Sequence, residues 1–300
     1  MIVAQRELPG GVQEIVVIDR DKGVVSVIAR TWEEPGKKPK DPPILYTPQA
    51  PKLLPDGTLM AYRLRPGEQF NLHSDRNELV LFDGPGLAPR VIPRPVVKAG
   101  LNRTVWAQHG HAAPTTHGTL IHAAVEWETW WIWPIPVRKQ WVCVETDLTG
   151  RLTGARWVDQ AEPSWTPRGL TRISTVGTGA IITPTRRFEK LGSAVGAKSF
   201  GWFDPHLSPD GTRVVWLDLV SVGLGVTSGL IIGDIDTGNV RHVVAPTTQM
   251  QTDAMWLNDS LLIGSRFIDS HWRIVLIDTI DRSVAVIPNT VDCTAVHAAL

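Results

Sequence analysis

The chain has 300 residues, 43% hydrophobic and 20% charged, with 30 Lys and Arg balancing 30 Asp and Glu. This composition can fill a core and excludes a chain disordered by composition. Zero net charge leaves no electrostatic footprint for nucleic acid or an anionic membrane surface.

The N-terminal run Met1 to Pro9 lacks the basic and apolar regions of an export signal, and no segment approaches the ~20 apolar residues of a membrane span. The expectation is a soluble protein synthesised in the cytoplasm without a signal peptide. Cys143 and Cys293 lie far apart with no CxxC context, so neither a disulfide framework nor a structural zinc site is expected.

In chain order, the first predicted element is a hairpin: an apolar strand at 14–19, a turn at 20–23 and a second strand at 24–28. Residues 31–48 hold five prolines and the basic group Lys37, Lys38 and Lys40, and read as an extended connection. Next comes Leu54-Pro55-Asp56-Gly57 ahead of a β-rich strand, then strands at 78–83 and 90–92. Weaker copies of this pattern open at Ala113-Pro114 and Glu162-Pro163. Strands at 141–144 and 156–158 flank the turn at 147–150. Ser208-Pro209-Asp210-Gly211 leads into Thr212 to Leu217, followed by a strand–turn–strand at 229–244. A last full unit runs through 253–262 and 273–287, and residues 292–300 read as one further strand. Pro-Asp-Gly suits a tight turn because proline presets φ and glycine accepts positive φ.

The recurring unit is four strands every ~40–50 residues, the pattern of a propeller blade. Ser208-Pro209-Asp210-Gly211 and Leu54-Pro55-Asp56-Gly57, each followed by a strand with an aromatic, resemble the TolB-type (PD40, WD40-like) repeat. That resemblance implies an all-β, six-bladed β-propeller of four-stranded antiparallel blades in a single domain, 1–300. The units centre on 1–30 plus 290–300, 50–95, 112–158, 163–191, 203–245 and 251–289. In this reading the N-terminal hairpin and the C-terminal strand complete one blade and close the ring without an open edge. The short unit at 163–191 leaves a count of five or seven open.

Several residue groups are candidates for chemistry. His109, His111, His117 and His122 fall within fourteen residues; they could hold an imidazole-binding metal, but no carboxylate supports them, and a polar loop entering a strand is the favoured reading. Asp19 with Asp21, Asp234 with Asp236, and Asp278 with Asp281 read as hairpin turns rather than calcium loops, since no bidentate glutamate follows. Glu126 and Glu128 alternate with Trp127 and share one face of a strand; a glycosidase pair can be imagined there, but nothing else marks them as catalytic. No GxSxG, HExxH, phosphate-binding or dinucleotide motif is present, and Arg186 to Lys190 is a basic loop too small to argue nucleic-acid binding.

Tryptophan usage stands out: 13 Trp against 6 Phe and 2 Tyr. The stretch 127–141 carries Trp127, Trp130, Trp131 and Trp133 beside Arg138 and Lys139. Alternating Trp residues could fill the space between blades, but Trp130, Trp131 and Trp133 cannot all face one side. An aromatic and basic hairpin tip at a partner interface is the equal alternative.

The expected protein is therefore non-enzymatic, needs no cofactor or metal, and acts as a structural or protein-interaction subunit. Its partners would be other subunits of an assembly, with a bacteriophage tail or virion as one setting by architectural analogy. A carbohydrate-binding or glycan-processing propeller and a soluble TolB-like adaptor are the alternatives.

Overall fold

The structure is a computed structural model of the chain. It describes the backbone at 1–36, 38–54, 56–66, 68, 78–84, 89–93, 96–100, 103–107, 113–114, 119–130, 133–157, 162–166, 169–173, 180–182, 187–189, 199–222, 225–248 and 251–298. Side chains are described within those segments except at 96–107, 113–114, 121–143, 155–205, 207, 218–226 and 251–253.

Among the described residues the chain forms six antiparallel sheets. The first holds β1 (Ile2–Leu8), β2 (Val12–Asp19) and β3 (Gly23–Arg30), and is completed by the C-terminal β27 (Cys293–Ala298), which pairs with β1 in the order β27-β1-β2-β3. The N-terminal part thus supplies three strands, not the single hairpin expected. The second sheet holds β4 (Trp32–Glu34), β5 (Ile44–Leu53), β6 (Leu59–Leu64), β7 (Glu78–Phe82) and β8 (Arg90–Val91). Its β4 and the start of β5 fall in the proline-rich region read as a connection, because Trp32↔Tyr46 and Glu34↔Ile44 pair across it.

The third sheet departs most from four strands. It contains β9 (Val96–Gly100), β10 (Arg103–Ala107), β11 (Ala113–Pro114), β12 (Leu120–Trp130), β13 (Trp133–Thr146) and β14 (Leu152–Trp157). The fourth holds β15 (Glu162–Thr166), β16 (Gly169–Ile173), β17 (Ala180–Ile182) and β18 (Arg187–Glu189). The fifth holds β19 (Ser199–Leu207), β20 (Arg213–Val222), β21 (Gly225–Asp234) and β22 (Val240–Thr247). The sixth holds β23 (Gln251–Trp256), β24 (Leu261–Ile268), β25 (His271–Asp278) and β26 (Val284–Val286).

Continuous apolar runs in the middle strands follow from burial on both faces. Side chains alternate along a strand, and successive residues enter different cores. Val16 and Ile18 pack with Met255, Ile263 and Ile274 of the sixth sheet, whereas Ile15, just before them, packs with Leu53, Ala61 and Val80 of the second. In β6, Leu59 and Ala61 join that same core, while Met60 and Tyr62 join Leu79, Leu81 and Leu120. In β24, Leu262 packs toward the fifth sheet and Ile263 toward the first. The fifth, sixth, first and second sheets therefore stack face to face in succession, and Leu120 carries the stack onto β12. β15 in turn lies beside β19.

Candidate functional site

The Trp-rich stretch is a long hairpin. β12 and β13 run 11 and 14 residues, and their register sets Trp127 opposite Arg138, Glu128 opposite Val137 and Trp130 opposite Trp133. A register shift between Glu126 and Trp127 leaves Lys139 as an extra residue on β13. On its other edge β12 pairs with β10, placing Trp106 opposite Val125, Thr104 opposite Trp127 and Arg103 opposite Glu128. The side chains of Trp127, Trp130, Trp133, Arg138 and Lys139 lie outside the described residues, as does Trp131 altogether. His109, His111 and His117 lie outside them too; His122 has a described backbone, opposite Val144.

The described side chains build a different set of polar features, concentrated in the turns and between sheets. In the Ser208 turn, the Ser208 hydroxyl donates to Asp210 Oδ1 at 2.5 Å and accepts the Arg213 N–H at 2.9 Å, while the Thr212 N–H donates to the same carboxylate. Gly211 closes the turn at φ 74°, a conformation open to glycine at little cost. Burial alone would raise the Asp210 carboxyl, but the Ser208 and Thr212 bonds and the nearby Arg213 outweigh it and hold the group down at about 2. The turn reaches the next sheet: the Asp210 N–H donates to Asp259, and the Arg213 guanidinium lies over the Trp256 ring at 5.0 Å. Asp19, Asp234 and Asp278 each accept backbone N–H bonds from residues two or three positions on, which is ordinary turn geometry.

Two charge clusters, one buried and one half-buried, are fully paired. Glu14 has no exposure and accepts Arg6 at 2.5 Å and the Arg30 Nε–H at 2.7 Å. Burial opposes ionisation of Glu14, yet these two guanidinium groups bring its pKa below the ordinary value. Arg63 bridges Glu34 at 2.5 Å and Glu78 at 2.8 Å and lies 4.5 Å from the centre of the Tyr46 ring. Cys293 is a free, buried thiol pushed up to about 11 by burial, and so is a poor nucleophile.

Between the fifth and sixth sheets lies a cleft of about 440 Å³ lined in part by His242, Thr247, Arg266, Arg282 and Val284. Sequence reading missed it. Arg266 sits in Leu261-Leu262-Ile263-Gly264-Ser265-Arg266-Phe267-Ile268, which reads as a strand with its arginine in solvent; only the packing of a second sheet buries it. Among the described residues no group of three or more His, Cys, Asp or Glu could hold a metal ion, and no helix is long and apolar enough to cross a membrane.

No protein-family model matches this sequence, and no curated protein matches it. Solved structures do. TolB from Acinetobacter baumannii superposes over 99% of this chain at a TM-score of 0.50 and 13% identity. The fold resembles that of the TolB propellers. The chain spans 65% of that structure's length. A TolB-type structure from Agrobacterium tumefaciens covers 87% of this chain and 83% of its own at TM-score 0.47 and 13% identity, and the tricorn protease covers 99% and 35% at TM-score 0.47 and 9% identity. At these identities the likeness concerns fold alone.

Proposed function

We propose that the six sheets are the blades of a closed β-propeller, and that the protein works by binding other proteins through the β12–β13 hairpin. The observation that carries this reading is the hairpin's length and register. The third sheet alone gains the flanking pair β9–β10, and its two longest strands bring Trp127 opposite Arg138 and Trp130 opposite Trp133. Trp and Arg are the residue types that dominate protein interfaces. Closure is supported by the pairing of β1 with β27 and by the shared cores that run from the fifth sheet through the sixth and first to the second.

The test isolates the intact protein from its native source and measures its assembly size alongside that of the double variant Trp130→Ala, Trp131→Ala. A variant that keeps the wild-type circular dichroism and melting temperature but leaves the assembly supports the reading. Wild-type protein recovered only as a monomer, or a variant that loses folding rather than association, overturns it. A virion component would be found in purified particles; this is one setting among those the reading allows.

A further inference from the structure

The cleft between the fifth and sixth sheets is independent of the hairpin. On β24 the residues facing the fifth sheet alternate as Leu262, Gly264 and Arg266, and their partners on β25 are Ile277, Val275 and Arg273. Arg266, opposite Arg273 in the register, interrupts this apolar row, which resumes at Ile268.

Arg266 differs from the paired charges described above. Glu14 and Arg63 each have two partners of opposite charge, and Asp210 has Arg213 beside it. Arg266 Nε is buried and has no hydrogen-bond partner, and burial lowers the pKa of its guanidinium. A buried donor left without an acceptor destabilises the fold. Among the described residues lining the cleft, none is an Asp or Glu. The nearest acids in sequence to Arg282 are committed elsewhere: Asp281 accepts the Ser283 N–H, and Asp278 accepts those of Ile280 and Asp281. Arg241, one residue before His242, is lowered by burial first and then by repulsion from Arg282 and Arg213, so positive charge accumulates on this wall.

We propose that this cleft binds an oxyanion, a carboxylate or phosphate group carried by a small, partly apolar ligand. Arg266 supplies the inner donor, its Nε–H and terminal N–H groups forming the planar fork that matches an oxyanion. Arg282 supplies charge at the exposed rim, and Val244 and Val284 contact the apolar part of the ligand. A bound anion satisfies the orphaned donor and pairs with the Arg266 charge.

The test titrates the full-length protein with hexanoate and, separately, inorganic phosphate, reading chemical-shift changes and thermal stability. Saturable binding of either anion is expected, and the one that binds distinguishes carboxylate from phosphate. Arg266→Met is expected to weaken binding at least about tenfold, the size of a lost charge-assisted hydrogen bond, with an unliganded melting temperature at or above wild type because an uncompensated buried charge has been removed. Should Arg266→Met not fold, Arg266→Lys keeps the charge, removes the fork and is expected to show the same weakening. Wild-type protein that saturates with neither anion overturns the proposal, as does binding unchanged by the Arg266 substitutions. The Trp130→Ala, Trp131→Ala variant is expected to bind the anion normally, so this result stands or falls apart from the hairpin reading.

Discussion

His297 on β27 accepts the backbone N–H of Leu53 on β5, Nδ1 to N at 3.1 Å, across 244 positions of sequence. The bond requires Nδ1 to be unprotonated, so the proton of the neutral ring sits on Nε2. It ties the C-terminal strand to the second sheet, while β27 also pairs with β1 and the Ala298 N–H points to the Met255 sulfur.

Burial, with Lys52 and His206 nearby, pushes His297 down to about 3 from an ordinary 6.5. Between those values the unfolded chain binds a proton that the folded chain refuses, so stability is full above pH 6.5 and falls as pH drops toward 3. Urea unfolding at about pH 7.5 and 5 is expected to show a lower midpoint at the acid end. In His297→Asn, whose side-chain carbonyl can still accept the Leu53 N–H, that drop is expected to be smaller. An equal pH dependence in both proteins would exclude His297 as its source.

Arg6→Met leaves fully buried Glu14 with only Arg30, whose side chain is 61% exposed. Removing one partner of a buried ion pair is expected to cost about 3 kcal/mol at neutral pH. In the wild type Glu14's lowered pKa gives stability that is present above the ordinary value of 4.5 and is lost as pH falls through the folded value. Without Arg6 burial dominates and the pKa rises, so the variant's deficit relative to wild type narrows on acidification. Chemical denaturation of both proteins across this range measures the gap.

Ser208→Ala removes two hydrogen bonds of the Ser-Pro-Asp-Gly turn. A loss of about 1–2 kcal/mol is expected. Asp210 also loses its strongest stabilising contact, so its carboxyl titrates above the wild-type value of about 2. NMR titration of the Asp210 carboxyl carbon reads this directly.

Gly23→Ala is expected to destabilise by more than the ~1 kcal/mol that positive φ alone imposes. Gly23 has φ 84°, and a Cβ there would overlap the Pro288 carbonyl. The neighbouring Lys22 carbonyl accepts from Asn289 Nδ2, so the overlap falls at a junction between the first and sixth sheets. Thermal melting compares it with Gly57→Ala, which has a similar φ of 86° and open space around it.

Much of the fold was legible because turn chemistry is local. Gly57 and Gly211 adopt the positive φ that Pro-Asp-Gly implies, and the apolar runs beside them form strands. What escaped was pairing decided at long range. β1 mixes apolar residues with Gln5, Arg6 and Glu7 and becomes a central strand because Glu14 and Gln13 stand opposite Arg6 and Glu7, and Gln13 also accepts from Gln5. β4 hides among prolines and is defined by its pairing with β5. The candidate hairpin was visible as a Trp-rich stretch, but its register, with Lys139 as the extra residue, depends on a bulge that no composition announces. Arg266 gave no signal at all, because its burial comes from a neighbouring sheet.

The pairing of β1 with β27 also orders the events of synthesis. During synthesis the other five described sheets are complete while Ile2 to Arg6 still offer a bare hydrogen-bonding edge, since their partners at Cys293–Ala298 follow every other described strand. Until then that edge is open to capture by any other extended segment, including the same strand of a neighbouring nascent chain. This six-residue strand thus works as a seal against misassembly, and deletions that remove it are expected to yield aggregation on polysomes before any loss of the remaining sheets.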